Sequence, residues 1–171
     1  MQGKERESFM ERITKTNYYL DIAQTVSERS TCLRKRYGAI IVKNDVIVST
    51  GYNGAPRGRQ NCSEMLFCLR EKMQIPRGER YELCRSVHAE ANAIISASRE
   101  QMLGGTLYIC CTDPADGAVV PDTCSCMMCK RMIINAGIAT VIIRDTKESY
   151  RRIETADWVQ NDDSLSGRSG Y

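Results

Sequence analysis

The sequence predicts an α/β fold, a mixed β-sheet covered by helices on both faces. Three observations predict it. Segments of helical period and short β-branched runs follow one another in the order α-β-β-α-β-α-β-α, which reads as a sheet layered with helices. The 171 residues suit one ordinary domain with a core of its own. Apolar residues at 42% and charged residues at 26% are ordinary for a globular chain.

Each element has its own warrant. Residues 9–28 carry Phe9, Ile13, Tyr18 or Tyr19, Ile22 and Val26 at helical spacing. Residues 38–42 and 46–50 are β-branched runs separated by Lys43-Asn44-Asp45, the pattern of a hairpin. Residues 52–85 are irregular, with Gly54, Pro56, Gly58, Pro76 and Gly78. A loop that long in a compact domain is functional, disordered or pinned by something. An alanine-rich helix follows at about 89–99, then a strand at 106–111 and a Pro/Gly/Asp-containing insertion at 112–125. A helix at 126–135 is stopped by Gly137, a strand occupies 140–144, and a last helix is expected from Lys147 to about Trp158. Residues 1–160 are expected to form one domain, and the polar, Gly/Ser-rich residues 161–171 a flexible tail.

Composition narrows the function. No apolar run approaches the roughly 20 residues that span a bilayer, and residues 1–7 are charged rather than signal-like. A cytoplasmic protein is expected. The formal charge of +3 is modest, and the basic clusters (Arg34-Lys35-Arg36, Arg57 with Arg59, Lys130-Arg131, Arg151-Arg152) are scattered among acids. A duplex-binding protein would concentrate them on one face. Single-stranded nucleic acid would call for aromatic stacking platforms, and two phenylalanines with one tryptophan offer few.

Nine cysteines are the outlier. In a reducing compartment such a density points to metal binding or catalysis rather than disulfides. The single histidine, His88, excludes two-histidine metal motifs within one chain. His88-Ala89-Glu90 opens one helix and Cys126-Met127-Met128-Cys129 opens another. Side chains three apart on a helix are neighbours, and a helix N-terminus favours thiolates. One imidazole and two thiolates around Zn²⁺ leave a fourth position open, which is the catalytic rather than the structural pattern. A carboxylate beside such a metal, Glu90, suits general acid–base work on a hydrolytic reaction. A non-catalytic zinc module would have no need of it.

These residues also carry a resemblance. The chain resembles the cytidine and deoxycytidylate deaminase family, through Tyr37-Gly38-Ala39-Ile40-Ile41-Val42, Gly51-Tyr52-Asn53-Gly54-Ala55-Pro56-Arg57-Gly58, His88-Ala89-Glu90-Ala91-Asn92-Ala93-Ile94 and the run from Cys126 to Ile138. The H-x-E and C-x-x-C pair is the zinc-deaminase signature, with Ser125 where a proline is usual. The resemblance implies a three-layer α-β-α sandwich with about five strands, and hydrolysis of dCMP to dUMP and ammonia. Deamination of another cytosine nucleoside or nucleotide is the alternative. His88, Cys126 and Cys129 would hold the catalytic zinc, with Glu90 as the catalytic residue.

The same resemblance places Asn53 on the substrate's sugar and Ala89 in the substrate site. Arg57 suits the 5′-phosphate as a guanidinium, with a solvated loop arginine as the competing reading. It further implies a second, structural zinc near Cys32 and Cys62. The physical case extends that site to Cys84 and Cys68, since a long loop needs something to order it; buried free cysteines are the alternative. A homo-oligomer, often a hexamer, and dCTP and dTTP as effectors are implied as well. The insertion would narrow access, bind an effector or contact a subunit.

Overall fold

The computed structural model describes residues 12–162. Phe9, the charged N-terminus and tail residues 163–171 therefore lie outside the described residues. A five-stranded sheet in the order β2-β1-β3-β4-β5 comprises β1 (Arg36–Lys43), β2 (Val46–Tyr52), β3 (Thr106–Thr112), β4 (Thr140–Arg144) and β5 (Tyr150–Glu154). The β3–β4 pair is parallel, and every other pair antiparallel. Parallel neighbours need a crossover, here the helix α6 (Met127–Ala136). The other helices are α1 (Lys15–Ser27), α2 (Cys62–Met65), α3 (Leu69–Lys72), α4 (Ala89–Ile95), α5 (Arg99–Met102) and α7 (Thr155–Gln160). None of the helices among the described residues is long and apolar enough to cross a membrane.

Period-two alternation sorts the strand residues onto two faces. Ile40, Val42, Tyr108, Cys110 and Ile142 meet Tyr19, Leu20 and Ala23 of α1. Ala39, Ile41, Leu107, Ile109, Val141 and Ile143 meet α4 and α6 through Ala89, Ala93, Cys129 and Ile133. The three-layer sandwich and its mixed five-stranded sheet thus follow from alternation within β1, β3 and β4.

Two glycines let helices approach the sheet. A Cβ at Gly38 would lie 2.0 Å from the Ala23 carbonyl oxygen of α1. At Gly51 it would lie 2.3 Å from both the Ala89 carbonyl oxygen and the Ala93 nitrogen of α4. The β1–β2 turn is the tight kind predicted, with Asn44 and Asp45 both left-handed at φ 51° and 64°. On the α1 side, the fully buried Arg144 of β4 donates to Gln24 Oε1 at 2.9 Å and pairs with Asp21 at 2.6 Å.

Three sequence expectations need correction. The first helix starts at Lys15, capped by the Thr14 hydroxyl accepting from Asn17 N–H at 3.2 Å, so Ile13 stays outside it and half exposed. The alanine-rich helix ends at Ile95, because Ser96 bonds back to the Asn92 carbonyl and Ser98 starts α5 with a capping box. The helix expected from Lys147 is instead β5 followed by α7. A turn at residues 145–149 folds the chain back, with the Asp145 and Thr146 N–H groups on the Ser149 carbonyl. Strand β5 then satisfies the open edge of β4, Val141 opposite Ile153.

Candidate active site

One cavity of about 270 Å³ opens where the N-termini of α4 and α6 meet the long loop. His88 and Cys126 each occupy an N-cap position with extended backbone, and each carbonyl starts its helix, accepting from Asn92 N–H and Lys130 N–H. That geometry turns both side chains off the helix ends toward one point. His88 Nδ1 lies 3.4 Å from Cys126 Sγ and 3.4 Å from Cys129 Sγ. Among the described residues these three form a group whose ligand atoms all lie within 4.8 Å of one another.

The donor set fits zinc. Tetrahedral bonds of about 2.3 Å to sulfur and about 2.0 Å to nitrogen place those atoms roughly 3.5 Å apart, close to the spacing found. The three groups also share protons closely. Burial works to lower the His88 pKa, but hydrogen bonds with Cys126 and Cys84 and the nearby Glu90 charge raise it to about 10. The Cys126 thiol is lowered by its hydrogen bonds with Cys129 and His88, against burial. Cys129 is raised by Cys126, by burial and by the Glu90 charge. A cation binding there takes neutral imidazole and thiolates, releasing protons as it loads.

Glu90, only 4% exposed, lines the same cavity as His88 and Cys126 and shares a side-chain hydrogen bond with Cys129. Ala89 lines it too, fully buried at the first position of α4. Asn53 also faces the cavity, but most of its amide serves the fold. Its Oδ1 accepts from Ser30 Oγ at 2.6 Å and Tyr37 N–H at 2.8 Å, while Nδ2 donates to the Lys35 carbonyl at 2.9 Å. One N–H remains for a ligand.

The loop cysteines gather more loosely. Cys32, Cys68 and Cys84 line the cavity, and the buried Cys62 thiol is pushed up by burial and by the nearby Cys32, Cys84 and Cys68. They do not reach the spacing of the His88 group. All nine cysteines are free thiols.

Arg57, expected beside the 5′-phosphate, is exposed and stands outside the cavity lining. The turn at residues 56–59 carries it outward. Sequence reasoning missed the basic residues that do line the cavity, Arg34, Lys35, Arg70 and Arg77. Arg34 is paired with Glu71 and Lys35 with Asp113, each at 3.0 Å. Arg70 is 5% exposed, donates to the Pro76 and Glu79 carbonyls, and has no carboxylate within ion-pair distance among the described residues. Its guanidinium lies 4.4 Å from the Tyr81 ring centroid, and Tyr81 meets the His88 ring edge-on at 5.2 Å. The available signal was the density of arginines in the 52–85 loop, but only tertiary folding shows which of them turn inward.

The described geometry has counterparts among known proteins. The deoxycytidylate deaminase of Mycobacterium phage D29 is 36% identical over 130 residues, covering 73% of this chain and 90% of that one. The deoxycytidylate deaminase of Schizosaccharomyces pombe is 32% identical over 126 residues, 74% of this chain; the match spans only 35% of that longer protein. Among solved structures, the dCMP deaminase of cyanophage S-TIM5 in apo form superposes with a TM-score of 0.55 at 27% identity, covering 88% of this chain and 93% of that one. Its complex with dCMP and dUMP superposes with a TM-score of 0.52 at 28% identity, over 78% and 84%. The family model for the cytidine and deoxycytidylate deaminase zinc-binding region matches residues 13–144, and the chain belongs to that family.

Proposed function

We propose that this chain is a zinc-dependent deaminase that hydrolyses dCMP to dUMP and ammonia. The observation that carries the reading is a buried carboxylate, Glu90, lining one cavity with His88 and Cys126, which stand with Cys129 at zinc-ligand spacing. Zinc on His88, Cys126 and Cys129 supplies the Lewis acidity that makes water a nucleophile near neutral pH. Glu90 carries the proton traffic. Its carboxylate takes the proton of the attacking water and passes it to ring N3. The oxygen adds at C4 of the pyrimidine; Glu90 then takes the remaining proton from the C4 hydroxyl and delivers it to the amine, so that the C4 carbonyl forms as the C4–N bond breaks and ammonia departs.

The rest of the cavity holds the substrate. The Ala89 N–H opens α4 and has no acceptor inside the helix, so it is available to the base. The remaining Asn53 Nδ2 proton is available to the sugar. Arg70 and Arg77, which lack carboxylate partners among the described residues, take the 5′-phosphate in place of Arg57. Guanidinium groups suit phosphate through paired donors.

The proposal extends to a second, structural zinc that draws Cys32, Cys62, Cys84 and Cys68 together, supported by their gathering around Cys62. A homo-oligomer, effector control by dCTP and dTTP, and a cytoplasmic location rest on the family resemblance. The decisive experiment measures ammonia release from dCMP, CMP, deoxycytidine, dCTP and cytosine, with zinc content determined on the same preparation. Strong preference for dCMP is expected, with about two zinc ions per chain. Preference for an unphosphorylated nucleoside overturns the substrate assignment, and a single zinc removes the structural site.

A further inference from the structure

The insertion at residues 112–125 forms one wall of the cavity, and its path is fixed by backbone bonds. Thr112 bridges Val119, Asp113 N–H donates to the Ala118 carbonyl at 2.8 Å, and Val120 N–H donates to the Cys111 carbonyl at 2.9 Å. Asp122 then takes a left-handed conformation at φ 55°, so the chain turns sharply just before Thr123.

Two residues from across the sheet hold that turn. Asp145, at the end of β4, accepts the Asp122 N–H at 3.0 Å. Arg151, on β5, makes a two-point pair with Asp145 at 2.7 and 2.9 Å and donates to the Thr123 carbonyl. The backbone of Thr123 is therefore gripped from outside, and its side chain goes inward. Thr123 is 2% exposed, lines the cavity with His88, Glu90 and Cys126, and its hydroxyl has no protein partner. A buried hydroxyl without a partner is costly. Because Thr123 lines the cavity, a turn about χ1 that exchanges its methyl and hydroxyl lets the oxygen recover that cost when a polar ligand group arrives.

We propose that Thr123 is a specificity-determining residue whose hydroxyl hydrogen-bonds a polar group of the bound nucleotide, and that Arg151 with Asp145 positions it. This rests on the deaminase reading of the cavity. It gives the insertion a role in substrate binding, one that its sequence alone left open among access, effector and subunit contact.

The test compares wild type, Thr123→Val and Thr123→Ser as zinc-loaded full chains, by steady-state kinetics on dCMP and calorimetric titration with dUMP. Valine keeps the shape and removes the hydroxyl. For T123V, KM and the dUMP dissociation constant should each rise about tenfold, the loss of one ligand hydrogen bond. Zinc content and melting temperature should be retained, because no protein hydrogen bond is broken. T123S should stay within about threefold of wild type, since serine keeps the same donor.

Values for T123V within about twofold of wild type, on a scale where one hydrogen bond is worth about tenfold, overturn the proposal. If T123V does not fold, Thr123→Ala carries the same comparison. For the positioning role, Arg151→Ala should raise KM in the wild-type background and add nothing on top of T123V. Additive effects would mean that Arg151 acts elsewhere. A wild type that releases no ammonia from any cytosine nucleotide defeats the deaminase reading itself, a different outcome from an indifferent T123V.

Discussion

Two walls of the cavity are built on different principles. At the metal end, His88, Glu90, Cys126 and Cys129 project from the first turns of two helices that lie on the sheet. On the loop wall, Arg70, Arg77 and Tyr81 come from a segment of short helical turns, held by side-chain contacts such as Arg70 on two carbonyls and Tyr81 against the His88 ring. Groups that must meet a reacting atom within tenths of an ångström sit on rigid elements. Groups that hold a charged phosphate tolerate more give, and a loop is enough for them.

The sharpest test of that contrast is at the rigid end. Glu90→Gln keeps the shape of the side chain and removes the base. It should lower kcat by about 10³-fold or more while zinc content, melting temperature and dUMP affinity stay near wild type. Loss of zinc along with activity would show that Glu90 is instead part of how the metal centre is built.

At the loop end the effect should be smaller and fall on binding. Arg77→Ala should raise KM for dCMP by roughly 10- to 100-fold, the range for a hydrogen bond to a charged group, with turnover of deoxycytidine little changed. Arg57→Ala serves as the comparison and should change neither value by more than about twofold, as for an exposed surface residue. Equal effects of the two arginines would erase the distinction between lining and exposed loop.

The smallest expected effect belongs to the clamp on the third wall. The Arg151 guanidinium beside Asp145 lowers that carboxyl below the usual carboxylate range. A depressed folded-state pKa contributes stability above the ordinary value and loses it as pH falls through the folded one. Wild type should therefore melt higher than Asp145→Asn at pH 7, by about 1 kcal/mol in stability for a partly exposed pair. That gap should shrink below about pH 4 as the carboxylate protonates. A gap independent of pH would assign the difference to packing.

What the sequence made legible follows the same division. H-x-E and C-x-x-C are local patterns at helix starts, so the metal end was readable from spacing, as were the hairpin and the buried strands β1, β3 and β4. Strand β5 was read as helix because Tyr150-Arg151-Arg152-Ile153-Glu154 is polar and lies at the sheet edge, where no two-residue alternation is required. Arg70, Arg77 and Thr123 were invisible as cavity-lining residues because their direction depends on partners elsewhere in the chain, such as Arg151 for Thr123. Arg57 shows the converse: it neighbours a family motif in sequence, while the turn at residues 56–59 leaves it exposed and outside the cavity lining.

The bare Cα of Gly51 has a consequence for how this centre can change. With backbone resting on backbone, α4 cannot sink further toward β2, and any side chain at residue 51 would prop it outward and carry Glu90 along. The Glu90 carboxylate thus stands on a fixed post. Adjustment to a differently shaped base has to come from the walls around that post, which is where the loop and the insertion lie.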